Sequence, residues 1–197
     1  RAFRLEGYLY PDTYDFYKNE PPQDAIGRFL RAAEQRITAA DRARAQAMGY
    51  SVDQILTVAS IIEKEASTPE DMARVSAVFH NRLKLGMKLE SDPTATYLTG
   101  EKKLALSESE ISAANAYNTY YVCGLPAGPI CNPSKTALNA ALNPDMTYIQ
   151  EGYLYFCATE PGSGTLVFAK TKEEHDANVA KYRPLWEAYD RQQANNP

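Results

Sequence analysis

Apolar residues recur at helical spacing in the first half of the chain, after an opening segment of a different kind. Residues 1–20 are rich in aromatic side chains and predict an extended segment, which Pro11 interrupts. In residues 23–37 the apolar positions repeat with helical periodicity, and an Ala- and Arg-rich stretch continues the pattern to about Gly49. These two stretches predict two helices.

Two further helices follow, and their starting residues can be read from the sequence. Ser51 followed by Gln54 is the pattern of a capping box, in which each side chain binds the other residue's backbone N–H. The apolar face that begins there continues to about Ala66. The next helix is predicted from Thr68, which precedes a proline at the first helical position, to Gly86.

Periodicity is weaker in the second half, where loops and a hairpin are predicted between short helices. Capping patterns predict short helices after Ser107 and Ser134. Residues 115–133 form a long loop, and their aromatic content argues against disorder. Two β-like runs, residues 152–158 and 165–169, flank a Pro-Gly-Ser-Gly turn and therefore predict a hairpin.

A last helix completes the predicted architecture. Thr171 with Glu174 marks its start, and Pro184 should kink or interrupt it. The fold class is therefore α+β: a helix-dominated domain with a small β-sheet or hairpin and long ordered loops. A length of 197 residues suits one domain, which we take as residues 1–197.

Composition excludes several classes of function. The net charge of −4 provides no basic stripe of the kind that binds nucleic acid. No P-loop, Rossmann or nucleophile-elbow fingerprint is present, and His80 and His175 are too few and isolated for a metal site, so no cofactor or metal is expected. The three cysteines follow no disulfide or metal pattern; a Cys123–Cys131 bridge and unpaired buried thiols both remain open.

Two carboxylates stand near the end of the third predicted helix, in the run Ile-Ile-Glu-Lys-Glu-Ala at positions 61–66. Glu65 lies roughly 70° from the centre of the apolar face, and Glu63 about 90° from it on the other side. A carboxylic acid that donates a proton near neutral pH needs a pKa raised by apolar neighbours, which favours Glu65. Such a run is also typical of a solvated helix face. Arg82, on the next helix, is either an ion-pair partner of one of these carboxylates or a surface charge.

Several strings of residues, in order and across nearly the whole chain, resemble one family. They are LEGYLYPDTY (5–14), ASIIEKEA (59–66), VFHNRL (78–83), GMKL (86–89), SDPT (91–94), YNTY (117–120), GLP (124–126), GPI (128–130), NP (132–133), YLYF (153–156) and a spaced Phe, Thr, Glu-His pattern (168–175). Together they are similar to the YceG-like, or MltG, family of endolytic murein transglycosylases. Leu166 departs from the family pattern, which predicts His there.

The resemblance implies a reaction and a catalytic residue. In that family the second Glu of the Glu-Lys-Glu string is the essential residue, which here is Glu65, with Glu63 as the alternative. The bond cleaved is the β-1,4 bond between N-acetylmuramic acid and N-acetylglucosamine inside a glycan strand, and the product has a 1,6-anhydro end. One carboxyl group would protonate the leaving oxygen and later accept the proton of the sugar's C6 hydroxyl, which requires a pKa near the working pH.

Polar residues in the family-like strings are the candidates for substrate binding. The oxocarbenium-like transition state is positively charged, so Asp92, Thr94, Tyr117 and Asn118 are expected near C1 of the sugar. Asp92 is equally compatible with an Asp-Pro turn, and Asn118 with an Asx-turn in the long loop. Glu6 is either a hydrogen-bond partner of the site or a turn residue.

Two other functions are compatible with the sequence. The 14 tyrosines have flat apolar faces that suit sugar rings, so a non-catalytic glycan-binding or scaffold module of the cell envelope is one alternative. An aminodeoxychorismate lyase, which needs pyridoxal phosphate, is the other, but Lys64, Lys84 and Lys88 stand beside no phosphate-binding loop.

The resemblance also implies partners and a location. The partners are peptidoglycan glycan strands and the penicillin-binding proteins of the wall-synthesis machinery, with no nucleic acid. A membrane-anchoring helix and a LysM-like region are expected upstream of Arg1, so the chain would be the C-terminal catalytic portion of a longer protein. The catalytic domain is then expected on the outer side of the cell membrane, with membrane contact only through that anchor.

Overall fold

The computed structural model describes residues 2–100 and 105–194, and this part of the chain folds into helices around one small sheet. The elements in chain order are α1 (Pro22–Arg36), α2 (Ala39–Ala47), α3 (Val52–Glu65), α4 (Pro69–Lys84), α5 (Asp92–Thr96), α6 (Glu108–Ile111), α7 (Lys135–Leu142), α8 (Met146–Glu151), β1 (Tyr155–Ala158), β2 (Leu166–Ala169) and α9 (Lys172–Ala194). The predicted α+β class is confirmed. Within the described residues, no helix combines the length and apolarity that a membrane crossing requires.

Side-chain caps confirm the predicted helix starts. Ser51 Oγ accepts a hydrogen bond from the Gln54 backbone N–H at 3.2 Å, and the Ser51 N–H donates to Gln54 Oε1 at 2.8 Å. Thr68 caps α4 in the same way through one bond, and Ser107 and Ser134 cap α6 and α7. These contacts join residues three apart, so the sequence alone can reveal them.

Two short helices were not predicted. Helices α5 and α8 have five and six residues, which is too short for an apolar period to be recognised. Helix α8 begins after Asp145, whose carboxylate accepts two backbone N–H groups, and it ends at Gly152 with φ of 74°. Helix α9 continues through Pro184, so that proline does not interrupt it.

Helix α3 is the central element of the core and packs against α4 and α7. Every residue from Ile55 to Ile62 is buried. Val75 and Phe79 of α4 are enclosed beside it, and α7 contributes Ala137 and Ala141, whose small side chains allow a close approach. Because the helix is enclosed up to Ile62, the core fixes the direction in which its last residues point.

The two strands form the predicted hairpin. They pair antiparallel with Phe156 opposite Phe168, and they pack against α9 and, through β1, against α4. Leu166, the position where the family pattern has His, pairs with Ala158 at the turn end of the hairpin.

The segment before α1 forms turns, so the predicted extended conformation is wrong for residues 3–9. The N–H groups of Gly7 and Leu9 donate to Asn132 Oδ1 at 2.8 and 3.0 Å. Gly7 has a φ of 88°, and a Cβ there would overlap the ring of Pro129. The long loop, and not a neighbouring strand, therefore satisfies the backbone donors of this segment.

The long loop of residues 115–133 contains no helix or strand, as predicted, apart from an isolated bridge between Gly124 and Lys88. All three cysteines are unpaired, so the bridged alternative for Cys123 and Cys131 is wrong. The Cys131 thiol instead lies 3.3 Å from the carbonyl oxygen of Ser60, which ties the loop to α3.

Candidate active site

Glu65 is the last residue of α3 and reaches the short segment that leads into α5. Ser91 Oγ donates a hydrogen bond to Glu65 Oε1 at 2.5 Å. The residue is partly accessible, yet its carboxyl is desolvated. Burial and, to a lesser extent, the charge of Asp92 raise the pKa of Glu65, the bond from Ser91 opposes both, and the net result is a pKa of about 8. A carboxyl group in this state is protonated at neutral pH and open to one side.

Asp92 is the second acidic residue of the site. The hydroxyl of Tyr120, from the long loop, donates to Asp92 Oδ1 at 2.5 Å. Burial raises the pKa of Asp92, and the bond from Tyr120 opposes the rise. Burial and the charges of Asp92 and Glu65 also raise the pKa of Tyr120, so its hydroxyl remains a donor. The structure thus brings Asp92 to Glu65, as the sequence predicted for a shared site.

Two buried threonines hold Ser91 in place. Thr119 Oγ1 accepts the Ser91 backbone N–H at 2.9 Å, and Thr94 Oγ1 donates to the Ser91 carbonyl at 2.6 Å. The two hydroxyls are 2.7 Å apart, and the Thr119 N–H donates to Thr94 Oγ1 at 3.1 Å. Thr94 is completely buried, so its contribution to the site is to position Ser91.

Arg82 fixes the segment before Ser91 from the other side. Its guanidinium donates to the carbonyls of Lys88 and Leu89 at 2.9 and 3.1 Å and to Glu90 Oε2 at 2.9 Å. Glu90 has a φ of 52°, a conformation that non-glycine residues rarely adopt, so the neighbouring bonds must hold it. Both alternatives for Arg82 are wrong: it pairs with Glu90 and not with Glu63 or Glu65, and it is buried and not a surface charge.

Tyr117 and Asn118 lie inside the molecule. Asn118 is completely buried, its Nδ2 donates to three backbone carbonyls, and its Oδ1 accepts the Tyr120 N–H at 3.0 Å in an Asx-turn. Tyr117 packs against Tyr97, and its hydroxyl accepts the Ala2 N–H at 2.9 Å. Both residues therefore shape the loop that presents Tyr120, and neither has an exposed surface for a sugar in this conformation.

Glu63 points to the opposite side of α3. Its Oε2 accepts the backbone N–H of Ser134 at 3.0 Å and the Ser134 hydroxyl at 2.6 Å. Ser134 is the N-cap of α7, and the N-terminus of a helix stabilises a negative charge. Glu63 therefore joins α3 to α7, which leaves Glu65 as the candidate acid.

Glu6 lies beside Tyr97, whose hydroxyl donates to Glu6 Oε2 at 3.3 Å. The nearby Cys131 thiol indicates the position of Glu6. Burial raises the pKa of this thiol, Lys64 lowers it, the charges of Glu63 and Glu6 raise it, and the net result is a pKa of about 12. Glu6 is thus close to the Glu63 side of α3. The contacts of the described residues connect it to Tyr97 and not to Glu65, so a direct role with the substrate stays a prediction.

The two histidines, His80 and His175, do not belong to a metal site. The His80 ring lies 2.9 Å from the Ala141 carbonyl and 3.3 Å from the Tyr50 hydroxyl, and His175 stacks on Tyr155. Burial lowers the pKa of both histidines. Within residues 2–100 and 105–194, no three His, Cys, Asp or Glu side chains are grouped as ligands of a metal ion.

Three residues of the site were missed by the sequence reasoning: Ser91, Thr119 and Tyr120. All three belong to the strings SDPT and YNTY, so membership of those strings was the available signal. Their roles depend on contacts between segments that are more than 20 residues apart, such as the 26 residues between Ser91 and Glu65.

Known proteins resemble this chain over most of its length. The model of the YceG-like family matches residues 1–181. The chain is 38% identical over 181 residues to an endolytic murein transglycosylase of Bacillus subtilis (strain 168), covering 90% of this chain and 48% of that protein. It is 31% identical over 185 residues to an endolytic murein transglycosylase of Streptococcus pneumoniae (strain D39), covering 91% of this chain and 32% of that protein.

A solved structure shows the same fold. A crystal structure of a yceG-like protein from Listeria monocytogenes superposes with a TM-score of 0.77 at 38% identity, covering 88% of this chain and 54% of that chain. The chain therefore spans about half of the solved structure and of the Bacillus protein, and about a third of the Streptococcus protein.

Proposed function

The chain belongs to the YceG-like family, and on that premise we propose that it is a lytic transglycosylase of peptidoglycan with Glu65 as its general acid and base. The bond cleaved is the β-1,4 bond between N-acetylmuramic acid and N-acetylglucosamine inside a glycan strand. The product carries a 1,6-anhydro-N-acetylmuramic acid end. The observation that carries this proposal is the position of the Glu65 carboxyl group, desolvated beside Asp92 and bound by Ser91 at the edge of the core.

The first step is proton transfer from Glu65 to the glycosidic oxygen. Because Ser91 donates to Oε1, Oε2 is the oxygen of Glu65 that we expect to carry the carboxyl proton and to donate it. As the bond between C1 and that oxygen breaks, the departing sugar keeps the proton and its oxygen becomes a hydroxyl. Glu65 is left as a carboxylate.

The second step closes the anhydro ring and restores the acid. The C6 hydroxyl of the muramic acid attacks C1, and the Glu65 carboxylate accepts its proton. No water is consumed, and the enzyme returns to its starting state. A pKa of about 8 suits both steps, since the group gives up and takes back a proton near neutral pH.

Asp92 is the group that stabilises the positive charge of the transition state. It lies close enough to Glu65 for its charge to raise the pKa of that carboxyl. Once Glu65 has given up its proton, the two carboxylates together stabilise an oxocarbenium-like sugar. Tyr120 fixes the orientation of Asp92, and Thr94, Tyr117 and Asn118 support the segments that carry it.

The test is a digestion of purified sacculi with the chain and with its Glu65→Gln variant, followed by mass spectrometry of the ends. Anhydro ends from the parent and none from the variant would support the proposal. Reducing ends would show that water is the acceptor. Asp92 would then act as the second carboxylate that a hydrolase needs.

A non-catalytic glycan-binding module is the second candidate, and exposed aromatic side chains favour it. Phe3, Phe16 and Tyr17 are 59%, 50% and 78% exposed in the segment before α1, where they offer flat apolar faces to a sugar. This candidate requires that the parent binds glycan strands and releases no new ends, and that Glu65→Gln binds them equally well.

The proposed substrate places the activity outside the cytoplasm, where peptidoglycan lies. The upstream membrane anchor and the partnership with penicillin-binding proteins stay predictions. Cross-linking of the longer protein in membranes, followed by identification of its neighbours, would test the partnership.

A further inference from the structure

A recess outside the candidate active site lies at the other end of α3 from Glu65. It is a cavity of about 560 Å³, within the size range of small-ligand sites, and the start of α3 lines it through Asp53 and Thr57. The end of α4 contributes Lys84, and the long loop contributes Leu125 and Pro126. The same loop carries Tyr120 at the candidate active site, so one segment borders both places.

The residues of α3 that line the cavity lie partly toward the Glu65 side of the helix: around the axis, Gln54 is about 20° from Glu65, whereas Asp53 is about 120° from it. Thr57, Ile61 and Glu65 follow one another at intervals of four residues, which separates the first and last by about 80° around the helix axis. At ~1.5 Å per residue, the distance along the axis is ~12 Å from Glu65 to Thr57 and ~18 Å from Glu65 to Asp53.

We propose that this cavity binds the stem peptide of the muramic acid residue that is cleaved at Glu65. This proposal rests on the function proposed above and adds a determinant of substrate choice. The first argument is reach. The peptide leaves the sugar through its lactyl group, and four or five extended residues span ~13 to 18 Å, which matches the separation of the cavity from Glu65.

The second argument is charge. A glycan strand whose lactyl groups are amide-linked is uncharged, whereas a stem peptide carries carboxylates at its glutamate residue and its C-terminus. Lys84 is exposed at the cavity, and within the described residues no carboxylate forms an ion pair with it. It is therefore the group that would pair with a peptide carboxylate.

The third argument is the shape of the remaining lining. Leu83, Leu125 and Pro126 present apolar surface, and Tyr50 adds an aromatic ring. Alanine methyl groups, which a stem peptide offers, fit such surfaces. Asp53, Gln54 and Thr57 add polar groups to the lining, and the Tyr8 hydroxyl already donates to Asp53 Oδ1 at 2.7 Å. An exposed cation beside small apolar contacts favours the peptide over a third or fourth sugar ring of the strand.

The experiment compares two substrates: uncross-linked glycan strands with their peptides, and the same strands after an amidase has removed the peptides and left a free lactyl carboxylate on each muramic acid. That carboxylate stays at the sugar, whereas the carboxylates of the peptide can reach the cavity. The readout is the ratio of kcat/KM for the two, measured as anhydro ends. We expect the parent to prefer the peptide-bearing strands about tenfold, and Lys84→Glu to reduce that ratio about fivefold. Lys84→Arg should keep most of the preference, and Lys181→Glu, the same charge reversal on an exposed lysine of α9, should keep all of it.

A parent ratio of one, or a ratio that Lys84→Glu does not change, would overturn the proposal. A second measurement separates it from the proposed function. N-acetylmuramoyl-tetrapeptide and free N-acetylmuramic acid are titrated into the Glu65→Gln variant, with NMR shifts of residues lining the cavity as the readout. If the parent makes no anhydro ends on either strand, the proposed function fails. Peptide-dependent shifts that Lys84→Glu removes would then still support the cavity as a peptide site, and their absence would overturn it.

Discussion

Glu63 and Glu65, at the end of α3, lie two residues apart and have different surroundings. Glu63 receives two hydrogen bonds from Ser134 at the start of α7, where a helix N-terminus favours a carboxylate. Glu65 receives one bond from Ser91 and faces Asp92 in a desolvated place that favours the neutral acid. The difference teaches that the partners supplied by other segments, and not the helix itself, decide the surroundings of each glutamate.

The largest effect is expected from replacing the Glu65 carboxyl group, which supplies the proton. Glu65→Gln keeps the shape and the bond from Ser91 but cannot transfer a proton, so kcat/KM for anhydro-end formation should fall at least ~10³-fold. Glu63→Gln is the matched control and should stay within about threefold of the parent. Equal losses in the two variants would mean that the two sides of α3 do not differ in function.

The same substitution should stabilise the fold, and the effect depends on pH. The pKa of Glu65 is raised from 4.5 to about 8 by folding, so between these values the native state holds a proton that the unfolded state has lost. The contribution of this group is therefore fully present below pH 4.5 and is lost as pH rises through about 8. Glu65→Gln removes that loss, and at pH 8.5 its free energy of unfolding should exceed the parent's by about 2 to 4 kcal/mol.

Denaturant unfolding at pH 4.5 and pH 8.5 checks this expectation. The two proteins should be nearly equally stable at the lower pH and differ at the higher one. A variant that is less stable than the parent at pH 8.5 would show that folding does not raise the pKa of Glu65.

Glu63→Gln should produce the opposite pattern, with stability lost and activity kept. The neutral amide binds the Ser134 N–H less strongly and cannot complement the N-terminus of α7, so the free energy of unfolding should fall by about 1 to 2 kcal/mol. Urea denaturation at pH 7 measures it. If Glu63→Gln lost as much activity as is expected for Glu65→Gln while its stability was unchanged, Glu63 would have to replace Glu65 as the candidate acid.

The smallest expected effects are shifts in the pH dependence of kcat/KM, which go in opposite directions in two variants of the site. Because Glu65 must begin protonated, kcat/KM should fall as pH rises through about 8. The bond from Ser91 lowers the pKa of Glu65 and the charge of Asp92 raises it, so Ser91→Ala should move the alkaline limb to higher pH. Asp92→Asn should move that limb to lower pH.

Full pH profiles of kcat/KM for the two variants measure these shifts. The position of the limb is the relevant quantity, because both substitutions also change the maximal rate. Shifts in the same direction would contradict the arrangement of the site.

Local patterns predicted much of the fold. The capping boxes at Ser51 and Ser107, the proline start of α4 and the hairpin were all readable, because each depends on residues close together in sequence. Helices α5 and α8 were missed because they are shorter than two turns. The opening segment was wrong because its backbone donors bind Asn132, more than 120 residues away.

The candidate site was predicted only in part. The sequence pointed to Glu65 and Asp92, and the structure brings them together. It could not separate a substrate contact from an internal one at Thr94, Tyr117 and Asn118, since burial depends on what the rest of the chain places over them. For Asn118, the Asx-turn that the sequence left open is the one observed.

By itself, the sequence determined the helical periods, the caps and the ordered strings that connect the chain to its family. Those features need only neighbouring residues or matching letters. The sequence favoured Glu65 over Glu63 through the family pattern and a difference of roughly 20° around the helix, and only the tertiary structure decided how differently the two carboxyl groups are surrounded. A pKa depends on burial and on charges within a few ångströms, and here Ser91, Asp92 and Ser134 arrive from segments 26 or more residues away.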